Sequence, residues 1–582
     1  MPEVDLLIRG GTIFDGRGGA PFVSDLAISG DRIAAIGDLD GYSADEEIDA
    51  SGLIVTPGFV DVHTHFDGQV IWSDRLSPSS GHGVTTVVIG NCGVGFAPCR
   101  AEDRVRLIKL MEGIEDIPGI VMTEGLTWDW ESYPEYLDQI EQRPHDINIA
   151  SFLPHSALRV FVMGERAAAG EPATAQDLAA MSALVREAAA AGAIGFGTSR
   201  TLYHRSSDGG VVPTLDAAET ELNAIAEALA AEGDGILQIA TDYKSHTAVD
   251  EEFAMMRRVA ERNGRLLMLP TVQMHSAPED WQDVVRLIEQ ANDEGVAVRG
   301  QVMPRGIGML YGLELSMHPF CLTPSYRAIA HLPLTERLAV MRNSAKRAEI
   351  IDEKPLDPPV PLFEGVRMFD GMFEMSEEVD YEPSFEDSIA ARAGRAGIRP
   401  EELAYDLLVQ GDGITTFFMP FSNYFEGNLD VVHTMLRHKN FVPGLGDAGA
   451  HLGAICDGSY STFMLSHWTR DRTRGARLPL AKAVKALAHD TAQAIGLNDR
   501  GVLAPGYKAD VNIIDYDRLK LHRPRVEYDL PAGGRRLTQD ASGYVATIVN
   551  GEVVYRDGEP TGVLPGELVR GTRQEPMSLA AE

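Results

Sequence analysis

Cysteine is scarce, with four (Cys92, Cys99, Cys321 and Cys456) in 582 residues. So few, so far apart, cannot build the disulfide framework of a small secreted domain, and the chain reads as one that folds in a reducing compartment. Basic residues are outnumbered: 51 Lys and Arg stand against 86 Asp and Glu, a net charge of −35. A surface with that excess of anions cannot neutralise phosphates, which excludes nucleic acid and anionic membrane as partners of first choice. No stretch reaches the ~18 consecutive apolar residues that would span a bilayer, and the alanine-rich run from Ala188 to Ala193 is broken by Gly192. The opening MPEVDLLIRGGTIFDG has no basic segment followed by an apolar one, so a cytoplasmic location is expected. No repeat of solenoid period is present. With 44% hydrophobic and 24% charged residues, the rest has the composition of an ordinary globular protein.

What is present has a rhythm. Residues 4–56 read as short strands between Gly-Gly, Gly-Asp and Ser-Gly turns, and the style resumes near the end in KADVNIIDYD and YVATIVNGEVVYRDGEPTG, where Asn550-Gly551 is a strong hairpin signal. Neither end could bury a core alone, so the two are expected to form one small β-sandwich. Between them, apolar runs rich in Val and Ile alternate with helical periodicity: GFVDVHTH, TTVVIGNCG, INIASFLPH, GAIGFGTS, GILQIATD, RLLMLPTV, VAVRGQVMP and VPGLGDAGAH. Eight such runs predict a (β/α)8 TIM-type barrel. Helices are expected in TAQDLAAMSALVREAAAAG and in EDWQDVVRLIEQANDEG, the latter closed by a glycine cap. The expected organisation is sandwich over 1–56, barrel over 57–495 and sandwich plus tail over 496–582. An insertion at about 305–440, too long for one crossover, precedes strand eight and is expected to be either a lid or the contact of a homo-oligomer.

Polar residues gather where the apolar runs stop, the end of a barrel on which active sites are built. His63 and His65 lie two apart at the end of strand one, so both imidazoles face the mouth and can hold one metal. Cys92 ends strand two among glycines, a position equally compatible with a ligand and with a small buried hydrophobe. Asp447 ends strand eight; a carboxylate there is costly to bury without a cation, and it is the natural general base for the attacking water. Arg305, after strand seven, could clamp a substrate carboxylate or lie on the surface. His82, His204 and His246 read as structural or exposed, His451 as a neighbour supporting the site, and Trp128, Trp130 and Phe320 as packing.

The opening strands, PGFVDVHTH, GVTTVVIGNCG, GDAGAH and GLNDRGVLAPGYKADVNIIDYD resemble the amidohydrolase superfamily. GNCGVG, SALRVFVMG and GFGTSRTLY resemble its D-aminoacylase (N-acyl-D-amino-acid deacylase) branch. The resemblance implies a metal-dependent barrel plus sandwich, usually with zinc, that hydrolyses C–N bonds. It implies His63, His65 and Cys92 as ligands, Asp447 as the catalytic aspartate, Tyr203 beside the substrate and His155 near the site, where it either helps catalysis or packs. Departures accompany it. Where the branch carries ligand histidines after strands five and six, this chain has Asp242 and then Val272 or Gln273, with His275 just beyond. A tyrosine-proline-tyrosine after strand seven is replaced by Met303-Pro304-Arg305, and a later histidine-proline-arginine by CDGSYSTFML.

Two arrangements follow. The favoured one has a single metal on His63, His65 and Asp447, completed by His275 or Asp242; the other adds a second metal with Cys92 and Asp242. Zn suits either set, as do Mn and Fe. The expected activity is hydrolysis of an amide in a small N-acyl amine or N-acyl amino acid. Cyclic-amide opening, decarboxylation, or a metal-free scaffold are the alternatives.

Overall fold

The computed structural model describes residues 2–233, 235–242, 249–358, 361–572 and 574–577; His246 lies outside them. Five strands come first: β1 (Glu3–Ile13), β2 (Phe22–Ser29), β3 (Arg32–Gly37), β4 (Ser43–Asp49) and β5 (Ile54–Pro57). The barrel begins with β6 (Phe59–Asp61), β7 (Val84–Ile89), β8 (Asn148–Pro154), β9 (Gly195–Arg200), β10 (Ile236–Thr241), β11 (Leu266–Pro270) and β12 (Val298–Val302). Strands β13 (Ile307–Gly312), β14 (Phe373–Glu374) and β15 (Thr416–Ser422) belong to the insertion, after which β16 (Phe441–Pro443) completes the barrel.

The eight barrel strands are hydrogen-bonded in the order β16-β12-β11-β10-β9-β8-β7-β6, every pair parallel. A parallel bridge from Thr64 to Ala448 joins the last strand's loop to the first and shuts the ring. Every residue of β7 and β8 is buried. That is why these runs read as continuous Val and Ile rather than as an alternation: helices cover one face and barrel side chains fill the other. Val60, Val62, Val88, Ala150, Ile194, Ile236, Met268 and Val442 pack into one cluster of this wall. Both expected helices form. Ala175–Ala191 starts on a Thr174 capping box with Asp177 and stops at Gly192, and Asp280–Asp293 is followed by Gly295 in a left-handed conformation.

The insertion has a core of its own, with Met309, Tyr311, Phe320, Ile350, Tyr405 and Phe417 at its centre, and an antiparallel sheet ordered β13-β15-β14. A buried ion pair fastens it to the barrel: Arg472, after β16, reaches Glu382 in the insertion at 2.9 Å.

After the barrel come β17 (Val511–Ile514), β18 (Lys520–Leu521), β19 (Arg525–Leu530), β20 (Gly534–Thr538), β21 (Ala541–Ser542), β22 (Tyr544–Val549), β23 (Glu552–Arg556) and β24 (Glu559–Pro560). The two ends meet in one nine-stranded sheet, β24-β23-β22-β17-β5-β1-β2-β3 with β4 paired to β1, and the junction is the antiparallel pairing of β17 with β5. Asn550 and Gly551 take φ of 48° and 87°, the two left-handed residues that a tight β22–β23 hairpin needs. The C-terminal segment does more than complete this sheet. Leu537 of the β19–β20 hairpin donates its amide to the Leu452 carbonyl (2.7 Å), so the hairpin rests on the loop after β16, and residues 566–569 run along the start of β8. No described helix is long and apolar enough to cross a membrane.

Candidate metal centre

The polar residues at the ends of β6, β7 and β16 converge. His63, His65 and Cys92 are buried, and one donor atom from each lies within 4.8 Å of the other two. The Cys92 thiol is 3.3 Å from Nε2 of His63. Oδ1 of Asp447 stands 3.4 Å from the same nitrogen and 3.7 Å from Nε2 of His65. That oxygen is buried without a hydrogen-bond partner among the described residues.

Backbone shape aims these groups. Cys92 sits at φ 54° in a turn entered through Gly90, at φ 78°, where a Cβ would stand 2.1 Å from the Phe152 carbonyl oxygen. The Cys92 amide is held by Oε1 of Gln238 from β10 (2.8 Å). In the loop after β16, Asp447 and His451 take φ of 42° and 51°. The loop is pinned where the His65 amide donates to the Ala448 carbonyl (2.8 Å). Non-glycine residues held in this region cost on the order of 1–3 kcal/mol each, a cost that persists where surrounding contacts fix the conformation.

Burial sets the charge state. It holds the His63 imidazole down to about 4 and His65 well below 6.5, so both are neutral at pH 7 with lone pairs available. It pushes the Cys92 thiol well above 9.0, with Glu115 and Asp447 adding to the effect. Asp447 is raised by burial, opposed by His451. No lysine or arginine of the described residues acts on any of these four groups. Two neutral imidazoles, a thiol and an unpartnered carboxylate oxygen with no cation of their own form a donor set that fits a divalent metal.

Other expected site residues are placed differently. Asp242 turns Oδ2 to the Thr201 hydroxyl (3.1 Å) and the Leu202 amide (2.9 Å), and it is not part of the cluster. His275 lies against the Phe425 ring, 5.9 Å between centroids, and likewise stays out of it. The strand-five and strand-six positions thus add no donor to the cluster, whereas Cys92, left out of the favoured arrangement, is at its heart. His155 is corrected from a catalytic to a wall position: its Nδ1 meets the Thr198 hydroxyl and its Nε2 the Glu221 carboxylate, both at 2.8 Å, leaving no nitrogen for the cavity. Arg305 is also corrected. Its guanidinium is buried, bonded to Asp457 (2.6 and 3.1 Å) and the Cys456 carbonyl, and stacked 3.7 Å over Tyr381, so it is no free clamp at the mouth. Tyr203 is exposed, its amide held by the Thr201 hydroxyl at 3.1 Å. His82 is structural as expected, held by Thr462 and the Gln539 carbonyl.

The sequence reading missed four neighbours. His204, bonded to the Ser199 hydroxyl at 2.8 Å, is held down to about 4 by burial first, with His451 and His63 close enough to add to the effect. Glu115, the last residue of the helix Arg104–Glu115 between β7 and β8, reaches His65 and His451. Gln301 of β12 and Gln238 of β10 carried a visible signal, an amide inside an apolar strand run. Glu115 carried none, because it ends an amphipathic helix as any surface glutamate would.

Known proteins share this fold and part of the sequence. The amidohydrolase family profile matches residues 46–555. D-aminoacylase of Alcaligenes xylosoxydans xylosoxydans is 36% identical over 273 residues, 47% of this chain and 50% of that enzyme, so the match spans about half the length of each. N-acyl-D-glutamate deacylase of the same organism is 28% identical over 587 residues, 98% of this chain and 97% of that one. The crystal structure of N-acyl-D-glutamate deacylase from Bordetella bronchiseptica, complexed with zinc and a phosphonate inhibitor, superposes with a TM-score of 0.64 at 23% identity, covering 98% of this chain and all of that one. The chain belongs to the amidohydrolase family.

Proposed function

We propose that the chain is a metal-dependent hydrolase that cleaves the amide C–N bond of an N-acyl amino acid at a centre formed by His63, His65, Cys92 and Asp447. The observation that carries this reading is the convergence of two neutral imidazoles and a thiol beside a buried carboxylate oxygen with no partner of its own. The relatives, a D-aminoacylase and an N-acyl-D-glutamate deacylase, point to the substrate class. Thiolate with imidazole favours zinc over manganese or iron, and the Bordetella deacylase is itself a zinc complex.

A divalent metal held there supplies a Lewis acid that polarises the acyl carbonyl and lowers the pKa of water from 15.7 to about 7. Asp447 accepts the proton of the attacking water and returns it to the departing amine, the two proton transfers that amide hydrolysis requires. Tyr203 and His204, on the loop after β9, border the space in which the substrate lies. The test is a panel of N-acyl-D- and N-acyl-L-amino acids incubated with the protein, before and after chelation and zinc return, with free amine and free carboxylate quantified. Release of both products, lost on chelation and regained with zinc, is the expected result; no amine from any member of the panel would overturn the reading.

A further inference from the structure

Each histidine of the pair turns one nitrogen toward the centre and the other toward a buried acceptor. Nε2 of His63 faces Cys92 and Asp447, while its Nδ1 lies 2.8 Å from Oε1 of Gln301. Nε2 of His65 faces Asp447, while its Nδ1, which makes no hydrogen bond among the described residues, lies 3.5 Å from Oε1 of Glu115, close enough for a small shift to join them. The second oxygen of Glu115 is 3.6 Å from Nε2 of His451, and the His451 amide donates to the Glu115 carbonyl. Gln301 and Glu115 are both buried. They come from different parts of the chain, one from a barrel strand and the other from a helix between β7 and β8.

We propose that Gln301 and Glu115 are the positioning residues of the metal site: each fixes the tautomer and ring orientation of one histidine so that both Nε2 lone pairs meet Asp447, and Glu115 also ties the His451 loop to the same centre. This rests on the reading of His63 and His65 as ligands. An imidazole offers a lone pair from one nitrogen only if its proton sits on the other, and that proton needs an acceptor when buried. An amide oxygen and a carboxylate are two such acceptors. The amide orientation of Gln301 follows from the same argument, since an NH2 group facing Nδ1 would put the proton on Nε2, against the ligands. Oε1 must therefore face His63, leaving Nε2 of Gln301 without a partner among the described residues.

The test is zinc affinity, measured by competition with a chelator of known strength on purified wild type and on Gln301→Leu, Gln301→Glu, Glu115→Gln and Glu115→Leu, with circular dichroism confirming the fold of each. The expected result is about 10- to 100-fold weaker binding in Gln301→Leu and Glu115→Leu, the range seen when such supporting partners are lost, with binding kept near that of wild type in Gln301→Glu and Glu115→Gln, each of which retains an acceptor. A merely structural role would leave zinc affinity unmoved in the folded Gln301→Leu and Glu115→Leu. Affinities within twofold of wild type in both of these variants would overturn the proposal while leaving the metal site standing. A wild type that takes up no zinc would overturn both readings.

Discussion

The insertion is held to the barrel by a lock whose strength follows from its geometry. Glu382 receives hydrogen bonds from Nε and Nη2 of Arg472 (3.0 and 2.9 Å), from Nε2 of His467 (2.9 Å) and from the Leu429 amide (2.9 Å). Its side chain is 2% exposed and that of Arg472 not at all. Burial pushes the carboxyl up, but the bonds from His467, Arg472 and Leu429 outweigh it and hold Glu382 down to about 2, against an ordinary 4.5. A carboxyl that falls this far on folding contributes about 3 kcal/mol at neutral pH. Removing one partner of a buried pair costs a similar amount, about 3–5 kcal/mol. Glu382→Gln keeps the shape and removes the charge, so at pH 7 it should unfold with about 3 kcal/mol less stability. The folded pKa is the lower one, so the contribution is complete above the unfolded value and is lost as pH falls toward the folded value. Roughly 2 kcal/mol of it should remain near pH 3.5. Urea unfolding of both proteins, followed by Trp468 fluorescence beside Arg472, measures the gap at each pH. Equal stability at pH 7, or a gap that does not narrow by pH 3.5, would refute the reasoning.

Asp447→Asn leaves only a neutral amide oxygen beside His63, His65 and Cys92 and cannot take up a proton, so turnover per bound metal should fall about 100- to 10,000-fold, beyond any weakening of metal binding; a rate per bound metal within tenfold of wild type excludes Asp447 as the base. Gly449 has φ 93°, and a Cβ there would meet the His65 backbone at 2.8 Å, so Gly449→Ala should push the Asp447 loop away. Weaker zinc binding by chelator competition and a loss of about 1–3 kcal/mol in stability are expected. His155→Phe should leave Glu221 without its 2.8 Å partner and cost about 1–3 kcal/mol of stability with metal content unchanged. Lost turnover at wild-type stability would instead return His155 to the catalytic group.

The eight barrel strands were legible because a strand buried on both faces has no alternative composition, and the His63-His65 spacing was legible because alternation puts both rings on one side. Asn550-Gly551 announced its hairpin through backbone chemistry alone. What escaped depends on partners distant in sequence. An arginine after an apolar strand looks like a mouth residue until Asp457, 152 positions away, takes it. His155 directly follows its strand, where a ligand would also stand, and only Thr198 and Glu221 on neighbouring elements decide that it serves the wall. The β19–β20 hairpin reads as more of the terminal sheet, and only its bond to Leu452 brings it over the site. Glu115 belongs to a stretch between strands whose path nothing local dictates.

The central claim is that one divalent metal is held by His63, His65, Cys92 and Asp447. Elemental analysis of the purified wild type, His63→Ala and Cys92→Ala tests it most directly. About one metal per chain is predicted for wild type, none in His63→Ala and a sharply reduced content in Cys92→Ala. Two metals per wild-type chain, none, or full retention in His63→Ala would contradict it.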